Sequence, residues 1–338
     1  MLSMAVRVAQ ALMLHMPQYP ARPFEKEMRR RLWHAIGLLD VQAALDRGSE
    51  PMMKASWLQF LPSNLNDECM TLYSQELVSD SEGYTDMAFT LIMSKAQCVI
   101  RSLNFGDLME PGIVNMHMRQ ACVIVFRETA SRLLQNCQPD TEPFHWYAKQ
   151  VAECIDASLQ LIVLRPMQYN PKFTPSRIRG SGLLKLAVKA LQKTQAQYTD
   201  ERGWRWRWFR PILDPRHTLA IAIAELCVCE DLGLIERCWP VVESSFNRFN
   251  KVGSSHDGLL WKPIEEGLAR ARAKRESLLG SSLMDDIAGP GLSSGSSSGF
   301  DWTTLPASDP DSHLNIWDKT VFDGADSDDN FLDMLWAV

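Results

Sequence analysis

The run Pro23-Phe24-Glu25-Lys26-Glu27-Met28-Arg29-Arg30-Arg31-Leu32-Trp33-His34-Ala35-Ile36-Gly37-Leu38-Leu39-Asp40 decides how the rest of the chain is read. Pro23 suits a first helical position, because the N–H it lacks would have no partner there. Glu25 precedes Arg29 and Glu27 precedes Arg31 by four residues, with each acid on the N-terminal side, the orientation that favours both the side-chain pair and the helix dipole. Leu32, Ile36 and Leu39 then fall on one helical face, and Trp33, Ile36 and Asp40 on an adjoining one. Gly48 follows the last periodic residues and can end the helix at positive φ. Asp40, at the edge of an apolar face, needs a partner if buried, and an arginine from a neighbouring turn or helix would supply it. A structural brace outweighs a ligand-binding carboxylate as the reading of that residue.

Outward from this run the helical period persists. Residues 1–16 place Leu2, Ala5, Val6, Ala9, Leu12, Met13 and Met16 on one face, closed by Pro17 and Pro20. Residues 52–68 are turn-rich. Periodic apolar stretches return at 85–103, 113–136, 144–164, 183–198, 217–232, 235–250 and 260–279, with Gly233, Gly253 and Gly280 as stops. No β alternation is sustained anywhere, so the expected fold class is all-α with eight or nine helices.

The chain has 338 residues, 46% of them hydrophobic and 22% charged, a globular composition with enough length for a large core. No apolar run reaches the roughly 18 residues that a bilayer span needs. The eight cysteines are scattered through apolar helical patterns, as small hydrophobes in a reducing compartment would be. The net charge of −6 conceals a division: from Ser281 onward there are eleven Asp, no Glu, one Lys and no Arg, a net −10, which leaves +4 on the remainder. Such segregation marks an interaction tail. Residues 289–299, GPGLSSGSSSG, form a flexible linker, and beyond them short aromatic groups are set among aspartates.

Several motifs point to one family. Glu27-Met28-Arg29-Arg30-Arg31-Leu32-Trp33, ending at Asp40 after a Pro-Phe entry, resembles the signature helix of the regulatory, or middle homology, region of fungal zinc-cluster transcription factors. The preceding AVRVAQALMLH at 5–15 is similar to that family's A-x-R-x-A-x-x-L-G-L-H, with Met13 in place of the usual glycine. Gly48-Ser49-Glu50-Pro51 departs from the family's G-R-P, whereas LPSNLND at 61–67 fits its L-P-x-N-x-x-D. Later segments continue the likeness to about residue 275: Trp204 to Trp206 before the helix Ala220 to Cys227, then Cys238-Trp239 and Trp261-Lys262-Pro263-Ile264. The resemblance implies a helical regulatory domain over 1–280, a linker over 281–299 and an activation-like tail over 300–338. It makes Arg30, Arg31, Trp33 and Asp40 the structural signature. It also implies a nuclear transcription regulator that can form homo- or heterodimers. DNA and zinc are implied only through the family's N-terminal six-cysteine module, whose cluster is not found in this sequence. No cofactor, metal site or membrane association is therefore expected of the chain itself.

In the tail, Asp328-Asp329 precede Phe331, Met334, Leu335 and Trp336. A short helix would gather Phe331, Met334 and Leu335 into one stripe for a coactivator groove, with the aspartates at its positive end. The same aspartates mimic a magnesium motif, but metal-binding carboxylates need a rigid cavity wall, which a segment beyond a flexible linker does not provide. The interleaved Trp204 to Arg210 stretch could stack on single strands; burial of the rings at a connection with wet arginines is the stronger reading. Arg270-Ala271-Arg272-Ala273-Lys274-Arg275 suits a basic helix end better than an import signal. No C-x-x-C pair, HExxH, P-loop or nucleotide-type glycine fingerprint occurs, and the seven histidines are dispersed. Two alternatives to a transcription regulator stand: a zinc-free helical module that modulates a partner factor, and an enzyme with a buried helical pocket, for which no constellation of residues speaks.

Overall fold

The computed structural model describes residues 1–16, 19–73, 79–105, 112–167, 172–173, 181–206, 208–209, 215–253 and 258–287, with the side chains of 251–253, 258–260 and 281–287 excepted. Among them are nine α-helices and no β-strand. These are α1 (Leu2–Ala11), α2 (Pro23–Arg47), α3 (Ala88–Asn104), α4 (Met116–Leu133), α5 (Pro143–Leu164), α6 (Gly182–Thr199), α7 (Pro215–Val228), α8 (Leu232–Gly253) and α9 (Gly258–Ile287). The all-α class is observed.

The long apolar helix α5 is the spine, because it serves two cores at once. Val151, Ile155, Leu159 and Ile162 face a core shared with α2, α3 and α4. Ala157, Leu161 and Leu164 face a second core built with α6, α7, α8 and α9. A helix buried nearly all round leaves its last carbonyls without water, and Arg119 of α4 answers for them. Its guanidinium, 1% exposed, donates to Ile162 O at 2.7 Å and Val163 O at 3.0 Å of that helix, and to Ile113 O, just ahead of α4, at 2.6 Å. It also donates to Leu103 O of α3 at 2.7 Å. One cation thus closes the negative ends of two helices. Desolvation pulls its pKa down to about 10, which still leaves it charged at neutral pH.

The helix ends show why local sequence and structure agree. α2 begins at Pro23 and ends with Gly48 at φ 60°, where Ser49 N donates to Ala44 O at 3.0 Å and Gly48 N to Leu45 O at 3.3 Å. α1 ends in the same arrangement, with Leu14 N on Ala9 O at 3.0 Å and Met13 N on Gln10 O at 2.8 Å. Here the left-handed position, φ 55°, is occupied by Met13, a residue with a Cβ.

Some expected boundaries and faces shift. Gly233 does not end α7. Asp231 starts α8 instead, its Oδ1 accepting from Leu234 N at 2.9 Å. α9 continues past Gly280 to Ile287, since one glycine costs a helix only about 1 kcal/mol. On α2 the expected apolar face is the wrong one: Leu32 and Leu39 are exposed, and Trp33, His34, Gly37, Asp40, Val41 and Ala44 point inward. On α1, Val6 and Ala9 are buried while Leu12, Met13 and Met16 are exposed.

A left-handed conformation costs a non-glycine residue about 1–2 kcal/mol. Met13 is half exposed, so its side chain offers little packing in return. Met13→Gly is therefore expected to raise unfolding stability by about 1 kcal/mol in urea titration. An unchanged or lower midpoint would show that the methionine side chain outweighs the strain.

Candidate functional site: a buried-charge brace on α2

The inward face of α2 is polar where a core helix is usually apolar. Asp40 lies 2% exposed. Its Oδ1 accepts from Met52 N at 3.0 Å, and its Oδ2 from Met53 N at 2.9 Å and from Arg101 Nη2 of α3 at 3.1 Å. Arg101 also donates to Gly37 O at 2.7 Å and Met53 O at 2.6 Å. A buried ion pair stands only when its remaining donors and acceptors are engaged, and removing one partner from such a pair costs about 3–5 kcal/mol. The partner of Asp40 is thus the α3 arginine, and none of Arg29, Arg30 and Arg31.

Nearer the start of the same helix, Glu27 is fully buried and accepts from Ser63 N at 3.1 and 3.2 Å and from Arg31 Nε at 3.1 Å. Arg31 reaches on to Asp67 Oδ1 at 2.7 Å. Arg30 lies 4.0 Å from Glu27, and Arg29 3.8 Å from Glu25. Trp33 donates from Nε1 to Trp57 O at 2.8 Å. Asp40, Trp33, Arg31 and Glu27 therefore each pin a different part of the connector between α2 and α3, and all but Arg31, which holds the Asp67 side chain, pair its backbone groups.

Between these clamps His34 lies 1% exposed. Its Nε2 is 3.0 Å from Phe60 O and its Nδ1 is 3.4 Å from Gln97 Nε2, so the neutral ring that donates from Nε2 fits both contacts. Burial lowers its pKa from 6.5 to about 4; the Phe60 carbonyl acts against the shift and the Arg101 charge reinforces it. Gly37 lets the helices approach: a Cβ there would lie 2.8 Å from Gln97 Oε1 and 3.0 Å from Leu58 Cδ2.

The signature residues Arg30, Arg31, Trp33 and Asp40 all lie on this helix, but Arg30 stays at the rim while the other three reach the connector. The sequence reading missed Glu27, His34, Gln97 and Arg101 as members. Gln97 and Arg101, four apart inside the apolar run of α3, were the available signal. The tail residues Phe331, Met334, Leu335 and Trp336, and the linker and tail expected over 281–299 and 300–338, lie outside the described residues apart from the backbone of α9 up to Ile287. In the Trp/Arg stretch, Trp206 packs on Phe144 and Tyr147 at 5.1 and 5.3 Å and Phe209 packs on Phe89 at 5.5 Å, but Trp204 and Trp208 are exposed. Burial of the whole stretch is thus only half realised.

None of this is arranged for covalent chemistry. Cys154 and Cys238 are buried, the other six cysteines are half-buried, and all are free thiols. Burial raises the pKa of Cys98, Cys122, Cys137, Cys154, Cys227 and Cys238, which disfavours their thiolates. Among the described residues no three His, Cys, Asp or Glu side chains converge as metal ligands. These dispersed thiols do not fit a six-cysteine zinc cluster.

The described residues thus form an all-α scaffold braced by buried charges. Comparison with known proteins narrows this class. The chain is 34% identical over 290 residues to the C6 finger domain transcription factor nscR of Arthroderma benhamiae, covering 83% of this chain and 40% of the relative. It is 32% identical over 321 residues to nscR of Aspergillus fumigatus, covering 90% and 40%. It is 31% identical over 307 residues to the C6 finger domain transcription factor adaR of Aspergillus niger, covering 82% and 39%. The chain belongs with the C6 finger domain transcription factors and spans about 40% of the length of these relatives. No family model matches it. No solved structure matches it.

The depressed pKa of His34 gives the brace a pH signature. Between pH 6.5 and about 4 the unfolded chain binds a proton at this ring that the folded chain does not. Stability present above pH 6.5 is therefore lost as pH falls, by about 1.4 kcal/mol per pH unit from this residue. Chemical denaturation of the wild type against His34→Gln across this window should show the slope shrinking in the variant. Parallel pH profiles would contradict the assignment.

Proposed function

We propose that the chain is the regulatory and activating portion of a nuclear transcription regulator. The relatives support this most directly, since they are named transcription factors and the likeness runs through most of the chain. The braced helical body supports it too, because it is built as a rigid platform and not as a reaction vessel. In this reading the body regulates, and the acidic segment after residue 300 recruits a coactivator or the transcription machinery through Phe331, Met334, Leu335 and Trp336. Aspartates keep those groups solvated until they are captured as a short helix. Recognition of DNA and the use of zinc fall to a six-cysteine module of the kind that the relatives' name denotes. Neither is assigned to residues of this chain.

A second reading, association with another factor, draws on α1. Met4, Val8 and Leu12 succeed one another at four-residue steps and are all exposed. An apolar stripe of this kind suits a helix that packs on a partner.

Residues 300–338 fused to a heterologous DNA-binding domain should activate a reporter, and replacing Phe331, Leu335 and Trp336 by Ala should abolish most of the signal. Activity at background, or activity untouched by the three replacements, would overturn the role given to the tail.

A further inference from the structure

The outward side of α2 is apolar where a surface helix is usually polar. Met28, Leu32, Ala35 and Leu39 follow one another at steps of four, three and four residues, and Ala43 extends the line by a turn. Leu32 is 51% exposed and Leu39 55%. Ala35 is exposed as well, and Met28 and Ala43 are half-buried. α1, α3 and the 3-10 turn at Ala55–Leu58 pack on α2. Its buried residues, Trp33, Gly37, Asp40 and Ala44 among them, lie on the other side of the helix. An apolar repeat of 3.5 residues is the seam by which one helix packs along another. Among the described residues no second helix occupies it.

Three features of the seam say what fits it. First, its ends carry opposite charge. Glu25 is 55% exposed, and its partner Arg29, at 3.8 Å, is also engaged by Leu12 O at 2.6 Å and by the Tyr19 ring. Arg47, at the far end, is exposed and has no carboxylate partner among the described residues. The two are 22 residues apart, about six turns, which puts them on the same flank of the seam. Second, the seam is complementary to its own reverse. About a two-fold axis between Ala35 and Ile36, Leu32 of one copy meets Leu39 of the other, Met28 meets Ala43, and Glu25 comes within one residue of Arg47. Each of these pairs is made twice, as an isologous contact requires. Two copies aligned in the same direction would instead set Glu25 against Glu25 and Arg47 against Arg47, so charge selects the antiparallel order. Third, the residue at the centre is Ala35, whose small side chain lets two helix axes come close.

We propose that the outward face of α2 is a self-association surface, on which a second copy of this chain lays its own α2 antiparallel about a two-fold axis. Such a helix pair buries about 500 Å² per copy, less than the roughly 800 Å² of a standard stable interface. The dimer is therefore reversible, with Kd on the order of 10 µM at low salt. Pairing through α2 rests on neither reading of function given above, and each can fail alone.

Sedimentation velocity of the full chain from about 1 to 200 µM tests it, and a monomer–dimer equilibrium is expected across that range. Leu32→Glu/Leu39→Glu, at two exposed positions, should weaken dimerisation at least tenfold. Glu25→Arg alone and Arg47→Glu alone should each weaken it severalfold, because each sets like charges across the axis twice. The two together restore opposite charges and should recover most of the lost affinity, which local damage by either substitution would not allow. Circular dichroism and thermal unfolding of each variant are followed in parallel. Should Leu32→Glu/Leu39→Glu lose the fold, Ala35→Arg takes its place, with the same loss of dimer expected. A chain that stays monomeric up to about 200 µM, with this face bare or covered by its own acidic segment, would overturn the proposal. So would association that survives the seam variants, or single charge variants that the double variant does not rescue.

Discussion

The carboxylate of Asp40 is the point on which this architecture turns. Burying it without partners would be prohibitive, so Arg101 of α3 and the amides of Met52 and Met53 must all be in place for α2 to sit where it does. The same constraint orders the connector between α2 and α3, which has only short 3-10 turns of its own at Ala55–Leu58 and Asp67–Cys69. Glu27 repeats the solution one end further along, through Ser63. Arg119 solves the mirror-image problem, a buried cation held by helix-end carbonyls. Buried charge, not apolar packing alone, therefore fixes how the helices before α5 are registered against one another.

This arrangement bears on function by what it makes rigid. The brace ties α2, α3 and their connector into one unit, and α5 joins that unit to the second core. The body that results presents faces and helix ends, but no activated nucleophile among its described residues. The relatives of this chain are named transcription factors.

The helices were legible because period and punctuation agreed: Pro23 and Gly48 bound α2, and α5 declared itself by length and apolarity. The need of Asp40 for an arginine was legible from elementary electrostatics. The inward face of α2 was not, because hydrophobicity alone favoured Leu32 and Leu39 over a face built from Trp33, His34, Gly37 and Asp40. That face is buried for its hydrogen bonds and, at Gly37, for its lack of a side chain. Residue types that score as polar or small carry the packing there, and no periodicity count weighs them correctly. Spacing reveals the i,i+4 pair of Glu27 with Arg31, which is real, but not the backbone amide of Ser63, 36 residues away, that the carboxylate also binds.

Native-state hydrogen exchange at the amides of Met52, Met53 and Ser63 tests the central claim most directly. If buried carboxylates hold the connector, these three amides exchange only through large-scale unfolding, with protection close to that of the α3 interior. Exchange at the rate of an open loop, while α3 stays protected, would show that the connector is not held by Asp40 and Glu27 and would contradict the account.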